Sequence, residues 1–194
     1  MWRRAFTTCG IPMQRQYPYS LVRVQGDPKI ADEPLGLKFE NTASDPSTII
    51  GWLKGSADSS ATLVANGAEI RPAQFVENAK FWAHVEHVFR EFAHEDPELQ
   101  AQAAFHKSGW MNVTDGRNPP PLGRTGEPED IVGCVLVEDK HIKKGSFQPN
   151  PTHRPATIRG LFQLPKYLQA KLIECLAKMD LRTRKSTSEP PSLI

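Results

Sequence analysis

Asn118-Pro119-Pro120-Pro121 constrains this chain more than any other stretch. Successive prolines fix φ near about −65° and remove backbone donors, so neither a helix nor an inner strand can run through them. Soon after comes Ile131-Val132-Gly133-Cys134-Val135-Leu136-Val137-Glu138, the most strand-like run in the sequence. Its β-branched residues favour a pleated surface, and Gly133 weakens any helix there. The stretch from Asn112 to Asp139 therefore reads as a stiff polar loop feeding a strand.

The flanking segments can be placed around that strand. Asp139-Lys140 turns the chain, and His141 to Lys143 begins a return strand. Ser146-Phe147-Gln148 and Ala156 to Arg159 are further extended candidates, bounded by Gly145, Pro149, Pro155 and Gly160. The result is an antiparallel meander of about three strands, stable only with one face covered. The predicted cover is a helix from Pro165 to about Met179, where Leu168, Leu172, Cys175, Leu176 and Met179 share a stripe. Upstream, residues 72–94 carry the strongest helical pattern. Pro72 suits a first turn, and Phe81, Val85, Val88, Phe89 and Phe92 fall on one face with Trp82 at its edge. Asp96-Pro97 predicts an N-cap and the first position of a second helix, running to about Lys107 and ended by Gly109. Trp110 to Val113 is a short strand leading into the loop. The expected fold class is α+β: a helical hairpin, then a small antiparallel β-meander covered by a C-terminal helix, forming a single domain over residues 72–180.

The ends read differently. Residues 1–26 carry Arg3, Arg4, Arg15 and Arg23 with no acid and no long apolar run, the composition of a mitochondrial transit peptide. Arg15-Gln16-Tyr17 places cleavage near Tyr17. Residues 27–71 mix short apolar patches with Pro, Gly, Ser and Asp and read as a largely irregular linker, with one docking turn at Ile49 to Leu53. Residues 181–194 are basic, then Ser/Pro-rich, and read as a disordered tail. Ser192-Leu193-Ile194 lacks the basic middle residue of a peroxisomal signal.

Composition narrows the function. A net charge of +2, with both signs mixed along the chain, argues against a nucleic-acid surface, which needs clustered Lys and Arg. No apolar run is long enough to span a bilayer. Cys9, Cys134 and Cys175 are odd in number and widely spaced, which indicates neither a disulfide framework nor a zinc ribbon. His84, His87, Glu91 and His94 share one helical stripe and could in principle ligate a metal. That stripe lies away from the aromatic face, contains Lys80, and lacks a second cluster to complete a site. It is read as a solvated face, with no metal and no cofactor expected. The candidate ligand-binding residues are those that the proline loop holds stiffly, Asp115, Arg117, Asn118 and Arg124, together with the later pair His153 and Arg154. A loop of that kind serves a binding site or braces a sheet edge equally well.

Two resemblances follow from these residues. Pro121-Leu-Gly-Arg-Thr-Gly-Glu-Pro-Glu-Asp-Ile-Val-Gly-Cys-Val-Leu136 resembles a segment near the C-terminal end of short-chain dehydrogenases, where it is a substrate-side loop and helix. It covers under a tenth of the chain. No Gly-rich phosphate loop precedes it, and the only Tyr-x-x-x-Lys, Tyr167 to Lys171, follows it instead of preceding it. The match is read as coincidental. The second runs from Trp110 to about Leu176. Gly109-Trp110, Asp115-Gly116-Arg117-Asn118-Pro119, Leu122-Gly123-Arg124, Asp130-Ile131-Val132-Gly133, Val135 to Asp139 and Phe147-Gln148-Pro149 through His153-Arg154 resemble a family of small fungal proteins of no known activity. That resemblance implies a common fold and brings no catalytic assignment.

Three functions are thus in view. The first is a non-enzymatic mitochondrial accessory or interaction protein, in the matrix or at the inner-membrane periphery and held in a protein complex. The second is a small-molecule-binding protein or enzyme using the loop 115–124 with His153 and Arg154. The third is a diverged short-chain reductase relative.

Overall fold

Eight residues, Ile131–Glu138, form the strand that the β-branched run predicts, and its neighbours assemble on both sides. The computed structural model describes residues 19–23, 35–39, 42, 45–54, 72–121 and 124–187. In chain order the strands are β1 (Tyr19–Arg23), β2 (Leu35–Phe39), β3 (Gly51–Leu53), β4 (Phe75–Glu77), β5 (Gly109–Thr114), β6 (Ile131–Glu138), β7 (His141–Ile142), β8 (Gln148–Pro149), β9 (Ala156–Thr157) and β10 (Gly160–Leu161). The helices are α1 (Ala79–Phe92), α2 (Pro97–His106) and α3 (Lys166–Thr187). The class is α+β, with helices beside antiparallel sheets.

In the meander sheet β6 is central. It pairs with β5 on one side, and with β7 and β8 on the other. The β6–β7 connection is the predicted Asp139-Lys140 turn, with both residues at positive φ (49° and 69°), the geometry that matches strand twist. Gly133 is required by close packing: a Cβ there would lie 2.4 Å from the Gln148 carbonyl oxygen and 2.5 Å from the Phe147 ring. Residues 156–161 form a separate two-stranded ribbon, β9–β10, off the main sheet.

The helices follow their apolar stripes. Phe81, Val85, Val88 and Phe89 of α1 are buried, and α1 packs along α3, whose Leu168, Leu172 and Leu176 are also buried. Asp96 caps α2 by accepting from the Leu99 N–H at 2.9 Å. Each fully buried side chain of this size adds roughly 1.5–3 kcal/mol.

Three expectations need correction. Residues 27–71, read as a largely irregular linker, contribute β2 and β3 to a second antiparallel sheet ordered β1-β2-β3-β4. Leu37, Phe39, Ile50 and Leu53 belong to the same hydrophobic cluster as α1, α3 and the meander. In the expected docking turn, Ile49 and Ile50 are buried and Gly51–Leu53 is strand β3. Second, the helix predicted from Pro72 begins only at Ala79, after one 3-10 turn (Pro72–Gln74) and β4. Asn78 sets that start. Its Oδ1 accepts from Lys80 N–H, and its Nδ2 donates to the Pro46 and Ile49 carbonyls at 2.8 and 2.6 Å, tying the helix to the early segment. Third, α3 runs on to Thr187, through the first half of the expected disordered tail. β1 likewise falls within the expected transit segment, while the Tyr17 cleavage point and the last seven residues lie outside the described residues.

Candidate functional site

The proline loop leaves β5 at Thr114 and returns as β6 at Ile131, so its two ends are neighbours. Asp115 N–H donates to the Asp130 carbonyl at 2.7 Å, closing the loop at its base. Inside that closure stands Arg117, its side chain only 1% exposed. Nε lies 3.0 Å from Asp130 Oδ1 and 3.4 Å from Asp115 Oδ2, and both carboxylates are fully buried. Nη1 donates to the Pro155 and Gly160 carbonyls at 3.2 Å each. Nη2 donates to the carbonyls of Glu129 at 3.2 Å and Arg154 at 2.6 Å. A guanidinium has five N–H donors, and here five hydrogen bonds use them, with Asp115 Oδ2 as a sixth oxygen close by.

The carboxylates are also engaged. Asp115 Oδ1 accepts the N–H groups of Arg117 at 3.0 Å and Gln163 at 2.7 Å, while Oδ2 lies 3.3 Å from His153 Nε2. Since a carboxylate only accepts, that contact requires the proton on Nε2. Asp130 Oδ2 takes Asn118 Nδ2 at 2.8 Å and Arg159 Nη1 at 3.1 Å. The His153 ring stands edge-on to Trp82, centroids 5.3 Å apart.

Of the residues nominated from sequence, Asp115, Arg117, Asn118 and His153 therefore meet in one network. Arg124 does not join: it is exposed, and its backbone N–H bonds to the Pro121 carbonyl. Arg154 joins only through its backbone, its carbonyl accepting from Arg117 and its N–H donating to the Glu129 carbonyl at 3.0 Å, while its side chain is exposed. Sequence reasoning missed Asp130, Arg159 and Gln163. Asp130 stood in the quoted Asp-Ile-x-Gly pattern, where an acid after Glu127-Pro128-Glu129 looks like ordinary turn charge. Gln163 acts through its backbone, which leaves no compositional trace.

Beside the network lies an open groove of about 700 Å³, lined by Glu77, Glu127, Glu129, Thr152, His153 and Arg154, with Pro128 and Pro151. Burial pushes the Glu77 carboxyl up, against the pull of His153 and Arg154. The histidine stripe on α1 separates in environment. His84 is half-buried, with Nε2 unpartnered among the described residues, and burial, then His87, pushes it down; His87 is exposed. Among the described residues no group of three or more His, Cys, Asp or Glu is arranged to hold a metal.

The dehydrogenase-like segment adopts one 3-10 turn (Pro128–Asp130) and then strand, where that family has a helix. Tyr167 donates its hydroxyl to Glu95, and that bond pushes the phenol up to about 12. Proton transfer near neutral pH asks for the opposite shift. Comparison with family models, curated proteins and solved structures finds no match to the chain.

Proposed function

We propose that this chain is a non-enzymatic accessory or interaction protein of the mitochondrion, and that its charged loop is an architectural brace. The observation that carries this reading is the saturation of Arg117. Every donor is spent on the chain's own acceptors, so the most reactive-looking constellation in the sequence has no free valence for a substrate. The exposed apolar side chains Phe105, Trp110 and Ile158 add surface suited to a partner. The basic, acid-free start supports import, and cleavage near Tyr17 would leave β1 on the mature chain. The resemblance of Trp110–Leu176 to small fungal proteins supplies no activity to set against this reading.

The test is native sizing of the tagged protein from a mitochondrial extract, with protease protection to establish the compartment. The expected result is a protected species much larger than two copies of the 21.7 kDa chain. A species of one or two copies, or one outside mitochondria, overturns the reading.

A second reading, small-molecule binding, is favoured by the groove in which His153 and Arg154 stand beside Glu77, Glu127 and Glu129. It expects a metabolite-dependent thermal shift that Arg154→Ala abolishes.

A further inference from the structure

We infer that the free edge of β5 is a docking strand for a second copy of this chain, giving a two-fold dimer with one continuous sheet. The two edges of the meander sheet differ. On the far edge β7 and β8 are two residues each, β8 contains Pro149, and Lys143 and Lys144 follow β7. Short strands, proline and lysine are the devices that block edge-to-edge pairing. The near edge has a register shift between Val113 and Thr114 at its far end and Lys107 two residues before it, but neither a proline nor a charge within the strand. β5 is six residues long, Gly109-Trp110-Met111-Asn112-Val113-Thr114, without a charge or a proline. It pairs with β6 alone, and among the described residues no other backbone hydrogen bond reaches Gly109–Thr114. Among the described residues of the loop, Gly126 packs against Thr114, at the end of the strand.

The occupant follows from self-complementarity. Met111 and Val113 face the core, while Trp110, 49% exposed, and Asn112 face outward. A two-fold axis through Asn112 opposes residues of the same parity and sets the two Asn112 side chains against each other. The core-facing side chains of both copies then stay on one side of the joined sheet, and both Trp110 side chains lie on the other. An uncharged strand meets its own copy without like charges opposed, which a strand bearing Lys or Glu could not do. Trp110 lies opposite Leu136 in the register, so each copy brings an aromatic-aliphatic pair to the joined outer face.

The experiment is sedimentation of the full chain across a concentration series, with Asn112→Lys and Asn112→Glu. Asn112 is exposed, so neither change touches the core. The wild type is expected to reach twice 21.7 kDa. Each variant alone is expected to dimerise at least about tenfold more weakly, because like charges then face each other, with a melting temperature unchanged at concentrations where the wild type is itself monomeric. Mixing the two variants is expected to restore a mixed dimer by native mass spectrometry. Amide exchange over 109–113 gives an independent readout, slowing with concentration in the wild type alone. A wild type that stays monomeric up to about 100 μM, weaker than the micromolar scale of a specific contact, overturns the proposal. So does a dimer that Asn112→Lys leaves as tight as before. Neither result bears on the accessory reading, whose test is assembly larger than two copies.

Discussion

Arg117 and Asp96 show how a buried charge is handled well and less well in the same molecule. Arg117 has an acceptor for every N–H. Asp96 is fully buried, and its Oδ1 caps α2, but its Oδ2 has no hydrogen-bond partner among the described residues. Burial pushes its carboxyl above the ordinary value of 3.8, against the pull of nearby backbone N–H groups. The folded chain thus holds the Asp96 proton more tightly than the unfolded chain. Stability from this group is fully present below the unfolded value and is lost as pH rises through the folded one. Asn caps a helix as well as Asp. Asp96→Asn should therefore gain on the wild type as pH rises from about 3.8, and hold a constant difference above that window. Urea titrations at stepped pH check the sign; a difference that shrinks with pH would refute the assignment. Asp96 was legible as a cap because Asp-Pro is a local signal. Asp130 was not legible as Arg117's partner, because a pairing across thirteen residues leaves no local pattern.

At the scale of elements, what was legible is what local chemistry decides. β6 is a β-branched run, α1 and α3 carry apolar stripes, and α2 has its cap and proline. β2 and β3 escaped because they are five and three residues long and contain Gly36 and Gly51. Their stability comes from cross-strand partners far along the sequence. At Gly51 a Cβ would lie 2.4 Å from the Phe75 ring, so the residue that made the segment look irregular is the one that lets β4 close over it. The β6–β7 turn gives an elemental prediction. Lys140 holds φ 69°, a conformation that costs a side chain about 1–2 kcal/mol. Lys140→Gly should raise the unfolding free energy by about 1 kcal/mol, read by thermal and urea melts. A loss of stability would mean that the lysine side chain contributes more than its backbone strain costs.

For the whole molecule, the decisive fact is that one core spans both sheets. Leu37, Phe39, Ile50 and Leu53 pack in the cluster that contains Phe81, Val113, Val135 and Leu168. A chain beginning at residue 72 would lose the first three strands and expose that core. It is expected to lack a cooperative melt and to bind a hydrophobic dye. A sharp transition near the full-length value would show that residues 72–187 fold alone. The brace works at the same scale: Asp115, Arg117 and Asp130 join the base of the proline loop to the β9–β10 ribbon and to Gln163, just before α3. Breaking it exposes four backbone carbonyls besides the two carboxylates, so no apolar replacement can fill the place as it can for an isolated ion pair.

Equilibrium urea unfolding of Arg117→Lys tests that brace most directly. Lysine keeps the charge but offers three donors from one point instead of five in a planar fork. The predicted loss is about 2–4 kcal/mol, from the two buried acceptors left without a donor, against under about 1 kcal/mol for Arg159→Ala, whose side chain is 37% exposed. An Arg117→Lys protein as stable as the wild type would contradict the brace and return the loop to the ranks of candidate binding sites.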